Sequence, residues 1–215
     1  MTTKILLIRH ASVDGVGQWL AGRTPHVHLN QQGRQEGGNL ARQLEDTKLD
    51  AIYSSPLERA RETAQIVAER QRIPVRVRDE FNEVHFGCWT GKKIFDLEGL
   101  PEWRHFNESR STARIPGGES MDEVLKRMVA GVGEVWAHHA GQCVAIFSHC
   151  DPIRVLVAHY LGMDVNYIDR IAINPASITV LVLAAHGPLI ESLNRAPEMR
   201  AMAAAKECLA ASGGS

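Results

Sequence analysis

Short apolar runs alternate along this chain with longer segments in which apolar residues recur at helical spacing. Five runs have the length of buried strands: residues 4–8, 51–53, 75–77, 143–147 and 178–183. Strand and helix signals in alternation are typical of an α/β domain whose mainly parallel sheet is covered on both faces. We therefore predict an α/β fold, a three-layer α/β/α sandwich with a mainly parallel central sheet.

Helical stripes between the runs predict the covering layers. Apolar side chains recur every three or four residues over 37–44, 57–67 and 121–135, which predicts three helices with one buried face each. Residues 153–161 are apolar on nearly every side, so we expect a well-buried helix there.

One long segment, residues 80–118, has no clean period. It combines large aromatic residues with many charges, and such a stretch inside a compact domain is often a lid or a binding insertion. We predict that it lies over the functional site as a lid or substrate region of a domain spanning residues 1–195. Residues 196–215 are predicted to form an Ala-rich C-terminal helix and a flexible tail.

The charge balance and the cysteine spacing exclude several classes of partner. The 215 residues carry a formal net charge of −1, so nucleic acid is not an expected partner. No apolar stretch is long enough to cross a membrane, and the run before Arg9 is too short for a signal peptide, so we expect a cytoplasmic protein without membrane contact. Cys88, Cys143, Cys150 and Cys208 have no paired spacing, and no metal site is expected.

Two polar residues, Arg9 and His10, stand where the first apolar run stops. Ligands of open α/β sheets bind beyond the carboxyl ends of the strands. Successive strand residues point to opposite faces, so these two side chains can share a pocket only if the chain leaves strand geometry there. An imidazole beside a guanidinium at this place indicates a nucleophile next to an anion clamp, although a polar strand end without function has the same pattern.

A helix start follows the second run, in the sequence SSPLER at residues 54–59. With Ser55 as N-cap and the proline at N1, Glu58 takes N3, which predicts a capping box. Arg59 then falls in the first turn, where helix-terminal amides favour a phosphate. Arg61 points around the helix in another direction, and we expect it at the surface.

Two further candidates are His149 and Glu83. His149 ends the run 143–147, and a single histidine there is more often a satisfied core residue. Glu83 lies among aromatic residues and glycines in the segment 82–91, and alone it has the character of a solvated loop charge. Two histidines and two arginines at the ends of three strands nevertheless favour one shared anion site.

These segments, taken in order, resemble the signatures of the histidine phosphatase family, the phosphoglycerate-mutase-like proteins. The matching segments are Leu7-Ile8-Arg9-His10, SSPLERA at 54–60 with Thr63-Ala64, Asn82-Glu83 with Phe86-Gly87 and Trp89, PGGES at 116–120, and Ser148-His149. The five motifs stand in the family's order and together span about residues 4–160. The resemblance implies that the insertion at 80–118 lies over the active site.

The resemblance also implies roles for individual residues. By it, the nucleophile that becomes phosphorylated is His10, the proton donor is Glu83, and the phosphoryl group is bound by Arg9, Arg59 and His149. We add as candidate substrate-binding or phosphate-binding residues Cys150, Arg23 and Thr24. The neighbouring arginines should lower the pKa of His10 below its free value of about 6.5, whereas the pKa of Glu83 must be raised.

The sequence departs from the family pattern in three places. Ala11-Ser12 replaces the usual Gly-Glu, residues 16–18 offer no equivalent of an asparagine phosphate ligand, and Cys150-Asp151 replaces Gly-Gly. We expect Asp151 to face away from the phosphate and to cap a helix that starts at Pro152. We expect Cys150, beside a catalytic imidazolium, to have a lowered pKa and to be open to oxidation.

The expected function is hydrolysis of a small phosphorylated metabolite by a phosphoric monoester hydrolase, through a phosphohistidine intermediate and without a cofactor. A phosphoglycerate mutase is the alternative with the same chemistry, and it would return the phosphoryl group to a reoriented product. A catalytically silent protein that only binds phosphorylated ligands is a third alternative. Retention of all five motif residues argues against it.

The identity of the substrate and the oligomeric state are not readable from the sequence, and a homodimer is the default expectation. Some aromatic and basic residues of the insertion either contact the substrate or only pin the insertion to the domain: Trp89, Trp103, Arg104, His105, Phe106, Arg110 and Arg114.

Overall fold

The computed structural model describes residues 2–196, which form a sheet between two layers of helices. The strands are β1 (Thr3–Arg9), β2 (Ala51–Ser54), β3 (Val75–Val77), β4 (Cys143–Ser148), β5 (Ile178–Ala184) and β6 (Gly187–Arg195). The α-helices are α1 (Gln31–Gln43), α2 (Glu58–Gln71), α3 (Ile94–Glu98), α4 (Pro101–Glu108), α5 (Met121–His138) and α6 (Cys150–Tyr160). Short 3₁₀ helices span Asp79–Phe81, Gly87–Trp89 and Val165–Arg170.

The six strands form one sheet in the order β3-β2-β4-β1-β5-β6. Strands β1 to β4 run parallel to their neighbours among themselves, whereas β5 is antiparallel to β1 and β6 is antiparallel to β5. The prediction of a mainly parallel central sheet is therefore confirmed. No apolar run predicted β6, an edge strand whose residues alternate between half-buried and exposed.

Both faces of the sheet are covered, which explains the continuous apolar character of its central strands. In β1, Ile5 and Leu7 pack with α5 and α6, whereas Leu6 and Ile8 pack with α1 and α2. This division follows from the two-residue period of a strand. The three-layer arrangement is thus built from strands that bury their side chains on both sides.

The carboxyl ends of β1, β2 and β4 meet at one edge of the sheet. Arg9 is in register with Ser148, and the His10 amide donates to the Ser148 carbonyl at 3.0 Å. The Ser55 amide donates to the Phe147 carbonyl at 2.9 Å. The residues that follow these three strands are therefore neighbours in space.

The segment 80–118 consists of short helices and loops held by an aromatic cluster. Trp89 and Phe106 are buried, with ring centroids 5.5 Å apart, and Trp103 packs edge-on to Trp89 at 5.2 Å. Gly87 has a φ of +47°, and a Cβ there would lie 2.2 Å from the carbonyl oxygen of Pro116. Only glycine therefore allows these two loops to approach so closely.

The predicted Ala-rich helix and tail fall almost wholly outside the described residues. Within residues 2–196, no helix combines the length and the apolar character that a membrane crossing requires.

Candidate active site

A cavity of about 180 Å³ opens where β1, β2 and β4 end. The loop after β1 supplies much of its wall, and α2, the 80–118 segment and α6 supply the rest. Its charged or titratable lining residues are Arg9, His10, Asp14, Arg59, Glu83, Cys150 and Asp151. The structure therefore brings four of the five predicted catalytic residues directly to one cavity, and the fifth, His149, lies beside His10.

His10 is held as a neutral imidazole with one nitrogen free. Its ring is 5% exposed, and Nδ1 lies 2.8 Å from the Ala11 carbonyl oxygen. Because a carbonyl oxygen only accepts, Nδ1 carries the proton and Nε2 keeps its lone pair. Burial lowers the pKa of His10 well below its ordinary value, and the charges of Arg59 and Arg9 lower it further.

Two guanidiniums flank this imidazole. Arg9 Nη1 donates to the Ile173 carbonyl at 2.6 Å, and Arg59 Nη2 donates to the Gly22 carbonyl at 2.7 Å. Arg59 is among the largest fully buried side chains of the protein. Arg9 Nε and Arg59 Nη1 are buried and have no hydrogen-bond partner within the part of the chain that the structure describes.

The capping box predicted at Ser55 is wrong. Helix α2 begins at Glu58 with Leu57 as N-cap, and no side chain of residues 2–196 caps it. The Ser55 hydroxyl instead lies 2.8 Å from His149 Nε2 and also accepts from the Leu57 amide at 3.3 Å. The hydroxyl that would cap the helix is thus used to orient a histidine.

His149 is fully buried beside His10, with ring centroids 5.2 Å apart. Its Nδ1 is 3.8 Å from Glu83 Oε2, too far for a hydrogen bond, and has no partner among residues 2–196. Burial lowers the pKa of His149 well below its ordinary value, helped by the charge of Arg59. Both histidines are therefore neutral at pH 7.

Glu83 has the opposite shift. Burial raises its pKa to about 7, and the negative charge of Asp151 raises it too, against the lowering effect of Arg59. Its Oε1 accepts from the Val84 amide at 2.9 Å. A carboxyl group in this state is protonated in a large fraction of molecules at neutral pH and can give up a proton there.

Arg127, which is not among the predicted site residues, positions the Glu83 loop. Its guanidinium donates to the carbonyls of Glu80, Asn82 and Glu83 and pairs with Glu119 at 2.9 Å. Glu119 belongs to the PGGES motif, which matched the family without an assigned role. The presence of Glu119 in that motif was therefore the sequence signal from which this ion pair could have been found.

Two of the added candidates do not line the cavity. Arg23 donates to the Glu83 carbonyl at 2.8 Å and pairs with Glu119 at 3.0 Å, so it supports the loop and does not line the cavity. Thr24 lies at a separate surface pocket beside His26. Cys150 does line the cavity.

The expected lowering of the pKa of Cys150 is wrong. Burial and the charge of Asp151 raise the pKa of its thiol to about 11. Its neighbour His149 is neutral, and the charges of Arg9 and Arg154, which favour a thiolate, only partly offset these effects.

Asp151 also departs from expectation. Helix α6 begins at Cys150 with His149 as N-cap, so Asp151 lies in the first turn and does not cap a helix from Pro152. It lines the cavity and does not face away from it.

Hydrogen bonds hold the loop after His10, although this loop lacks the residues that are usual in the family. Ser12 donates from its amide and its hydroxyl to the carboxylate of Glu36, at 2.8 and 2.9 Å. The Ala11 amide donates to the Thr63 hydroxyl at 3.0 Å. Val16 and Gly17 line the cavity, and among the described lining residues no side-chain amide replaces the family's asparagine.

Most of the aromatic and basic candidates in the insertion hold it against the rest of the domain. Trp89 and Phe106 are core residues, Arg114 is exposed beside Glu123, and Arg110 is buried against Asp169. In the described insertion the cavity is lined by Glu83 and Phe86.

Comparison with known proteins finds relatives along nearly the whole chain. A family model described as the histidine phosphatase superfamily (branch 1) matches residues 5–196. Phosphoserine phosphatase 1 of Hydrogenobacter thermophilus is 31% identical over 195 residues, which cover 89% of this chain and 92% of that protein.

Two solved structures are also similar. Bacillus stearothermophilus YhfR superimposes with a TM-score of 0.85 at 25% identity, over 90% of this chain and 97% of that one. The mycobacterial glucosyl-3-phosphoglycerate phosphatase gives a TM-score of 0.82 at 25% identity, over 91% of this chain and 100% of that one.

Proposed function

Since this chain belongs to branch 1 of the histidine phosphatase superfamily, we propose that it is a phosphomonoesterase that hydrolyses a small phosphorylated metabolite. Relatives named for an activity include a phosphoserine phosphatase, an alpha-ribazole phosphatase and a glucosyl-3-phosphoglycerate phosphatase, and also a probable phosphoglycerate mutase. Most of these names support hydrolysis of a phosphate ester over transfer between two positions of one molecule.

The single observation that carries this proposal is a set of three buried nitrogen atoms that have no hydrogen-bond partner among the described residues and lie around one free imidazole nitrogen. They are Arg9 Nε, Arg59 Nη1 and His149 Nδ1. Unpaired buried donors are costly, and they are retained where a ligand satisfies them. A phosphoryl group supplies the oxygen atoms that such donors require.

We assign the first chemical step to His10. Its Nε2 lone pair attacks phosphorus, the bond from phosphorus to the leaving-group oxygen breaks, and the Glu83 carboxyl gives its proton to that oxygen. The two guanidiniums hold the equatorial oxygens, because phosphoryl transfer depends mainly on positioning and charge stabilisation. The product of this step is phosphohistidine and an alcohol.

The second step returns the enzyme to its starting state. A water molecule attacks phosphorus, the bond from phosphorus to Nε2 breaks, and the Glu83 carboxylate takes the water's proton. A pKa of about 7 suits Glu83 to both directions of this transfer.

We assign to His149 a donor role set by Ser55. The Ser55 hydroxyl oxygen accepts from the Leu57 amide, and we assign the hydroxyl proton to the bond with His149 Nε2. The ring proton of His149 then lies on Nδ1, 3.8 Å from Oε2 of Glu83, a residue that lines the cavity.

The proposed phosphohistidine is tested by trapping it. The Glu83→Gln variant is mixed with ³²P-labelled p-nitrophenyl phosphate, whose leaving group needs no acid, and quenched in alkali. We expect acid-labile, alkali-stable label on the protein, and no label on a His10→Ala variant. Full phosphatase activity in His10→Ala would contradict the proposal, and a protein that is never labelled and releases no phosphate would be a binding protein.

The mutase alternative is tested with phosphoglycerate isomers, with and without bisphosphoglycerate. Release of inorganic phosphate faster than interconversion is expected. Interconversion faster than release would overturn the proposal.

We further propose a cytoplasmic location and a homodimeric state. The three described cysteines, Cys88, Cys143 and Cys150, are free thiols, which suits a reducing compartment. Light scattering on the purified protein tests the oligomeric state, and we expect the mass of two chains, because two-fold dimers are the commonest oligomers.

A further inference from the structure

The charged side chains that line the cavity divide into two groups. The cations, Arg9 and Arg59, both lower the pKa of His10, and we assign them to the part of the cavity that holds the phosphoryl group. The remaining charged or acidic lining residues of the described chain are Asp14, Glu83 and Asp151. A phosphoryl dianion matches the two guanidiniums in charge. The space that remains for the leaving group therefore presents acidic side chains.

Asp151 has arginine neighbours, but they approach it from outside the cavity. Arg154 Nη1 lies 3.2 Å from Oδ1, and Arg110 Nη1 lies 3.9 Å from Oδ2. Neither arginine lines the cavity. Both also pair with Asp169, at 3.2 and 2.9 Å, so two arginines and two aspartates form a closed ring without net charge.

The negative charge of Asp151 is still felt inside the cavity. It raises the pKa of the Glu83 carboxyl and of the Cys150 thiol. At Cys150 the charge of Arg154 offsets part of this effect, but the effect of Asp151 is the larger of the two. Asp151 also sits in the first turn of α6, where a carboxylate offsets the positive end of the helix dipole.

Asp14 adds a second carboxylate at the cavity wall. It is exposed, and its Oδ1 accepts from the Asn30 side chain at 3.1 Å. Within residues 2–196 no cationic side chain lies within 4.0 Å of it. Its charge is therefore available to a ligand.

We propose that Asp151, assisted by Asp14, is a specificity-determining residue that selects phosphate monoesters whose small leaving group carries an ammonium. A leaving group with a second anion is rejected by the same carboxylates, since like charges at short range are repulsive. This inference rests on the phosphomonoesterase activity proposed above and names its substrate class.

Three substrates of nearly equal size separate charge from shape. They are 2-aminoethyl phosphate, 2-hydroxyethyl phosphate and phosphoglycolate, whose leaving groups are cationic, neutral and anionic. Their intrinsic reactivities differ, so the readout is the ratio of kcat/KM for the aminoethyl ester to that for phosphoglycolate, compared between enzymes. p-Nitrophenyl phosphate measures the basal activity.

In Asp151→Asn we expect this ratio to fall about tenfold relative to wild type, and in Asp14→Asn to fall by a smaller factor. The matched control is Asp122→Asn, an exposed aspartate on α5 paired with Lys126, and its ratio should equal that of wild type. Loss of Asp151 also moves the pKa of Glu83, but that change acts on all three substrates and leaves the ratio unaltered.

Each outcome is decisive. An unchanged ratio in Asp151→Asn, with p-nitrophenyl phosphate still hydrolysed, overturns the inference and leaves the phosphomonoesterase intact. No hydrolysis of any ester by the wild type overturns both. If Asp151→Asn does not fold because Arg110 and Arg154 lose a partner, the exposed Asp14→Asn variant decides in the same way, and an unaltered ratio there overturns the inference.

Discussion

The imidazole rings of His10 and His149 lie with their centroids 5.2 Å apart, and each ring is oriented by a different neighbour. The Ala11 carbonyl fixes His10, and the Ser55 hydroxyl fixes His149. Both rings are neutral because burial and two arginines oppose a further positive charge. The pair can therefore divide attack and stabilisation between two chemically identical side chains.

Replacement of His10 by alanine should abolish turnover and spare phosphate binding. The nucleophile is lost, whereas Arg9 and Arg59 keep their backbone tethers. We expect kcat on p-nitrophenyl phosphate to fall at least about 10³-fold. Calorimetric titration with inorganic phosphate should still show binding. His138→Ala, at an exposed position on α5, is the control and should match wild type.

The pH dependence should be set by Glu83 on the alkaline side. Its pKa of about 7 means that the acid form is lost as the pH rises through that value, so kcat/KM on an alkyl phosphate should fall about tenfold per unit above it. On the acid side His10 stays neutral to well below pH 6.5, because its pKa is lowered.

The Glu83→Gln variant is the control for this profile. It should lose the alkaline limb near pH 7 and should be far more impaired on alkyl phosphates than on p-nitrophenyl phosphate. An alkaline limb that persists in the variant would assign it to another group.

Phosphate should stabilise the fold through Arg59. Inorganic phosphate at 100 times its Kd contributes about 2.7 kcal/mol, which raises Tm by roughly 5–10 °C in a protein of this size. In Arg59→Met the rise should shrink to less than about a third, because the buried donor is gone. Arg61→Met, an exposed position on the same helix, should keep the full rise. Equal rises in both variants would remove Arg59 from the phosphate site.

Replacement of Ser55 by alanine should impair catalysis without removing a group that touches the substrate. His149 Nε2 loses its partner at 2.8 Å, so the ring is free to carry its proton on either nitrogen. We expect kcat to fall about tenfold with KM little changed. Ser54→Ala is the matched control, since that hydroxyl bonds the Ser55 carbonyl. Equal losses in both variants would indicate a structural effect.

The central strands and the sheet edge that carries the site could be predicted because they depend on local patterns. Apolar runs bounded by polar residues predicted β1 and β4. Both strands end next to the histidines that the sequence predicted as site residues. Strand β6 could not be predicted in this way. It is an edge strand with many polar residues, and its pairing with β5 contains register shifts.

The predicted helix caps at Ser55 and Asp151 were wrong because tertiary contacts use these side chains. Both Ser55 and Ser120 precede a glutamate by three residues, but only Ser120 forms a capping box. The Ser55 hydroxyl is used by His149, a residue 94 positions away. Likewise, Asp151 has the local pattern of a cap, but its arginine partners come from the insertion and from its own helix.

The guanidinium of Arg127 donates to the carbonyls of residues 80, 82 and 83, and this anchoring affects how such an enzyme could diverge in evolution. One guanidinium on α5 anchors the backbone just before the acid. The exposed parts of the insertion beyond Val84 can therefore vary without relocating that carboxyl group, as long as the buried aromatic residues and Glu119 are kept. New leaving groups could be accommodated by loop grafting, while the reaction itself stays in place.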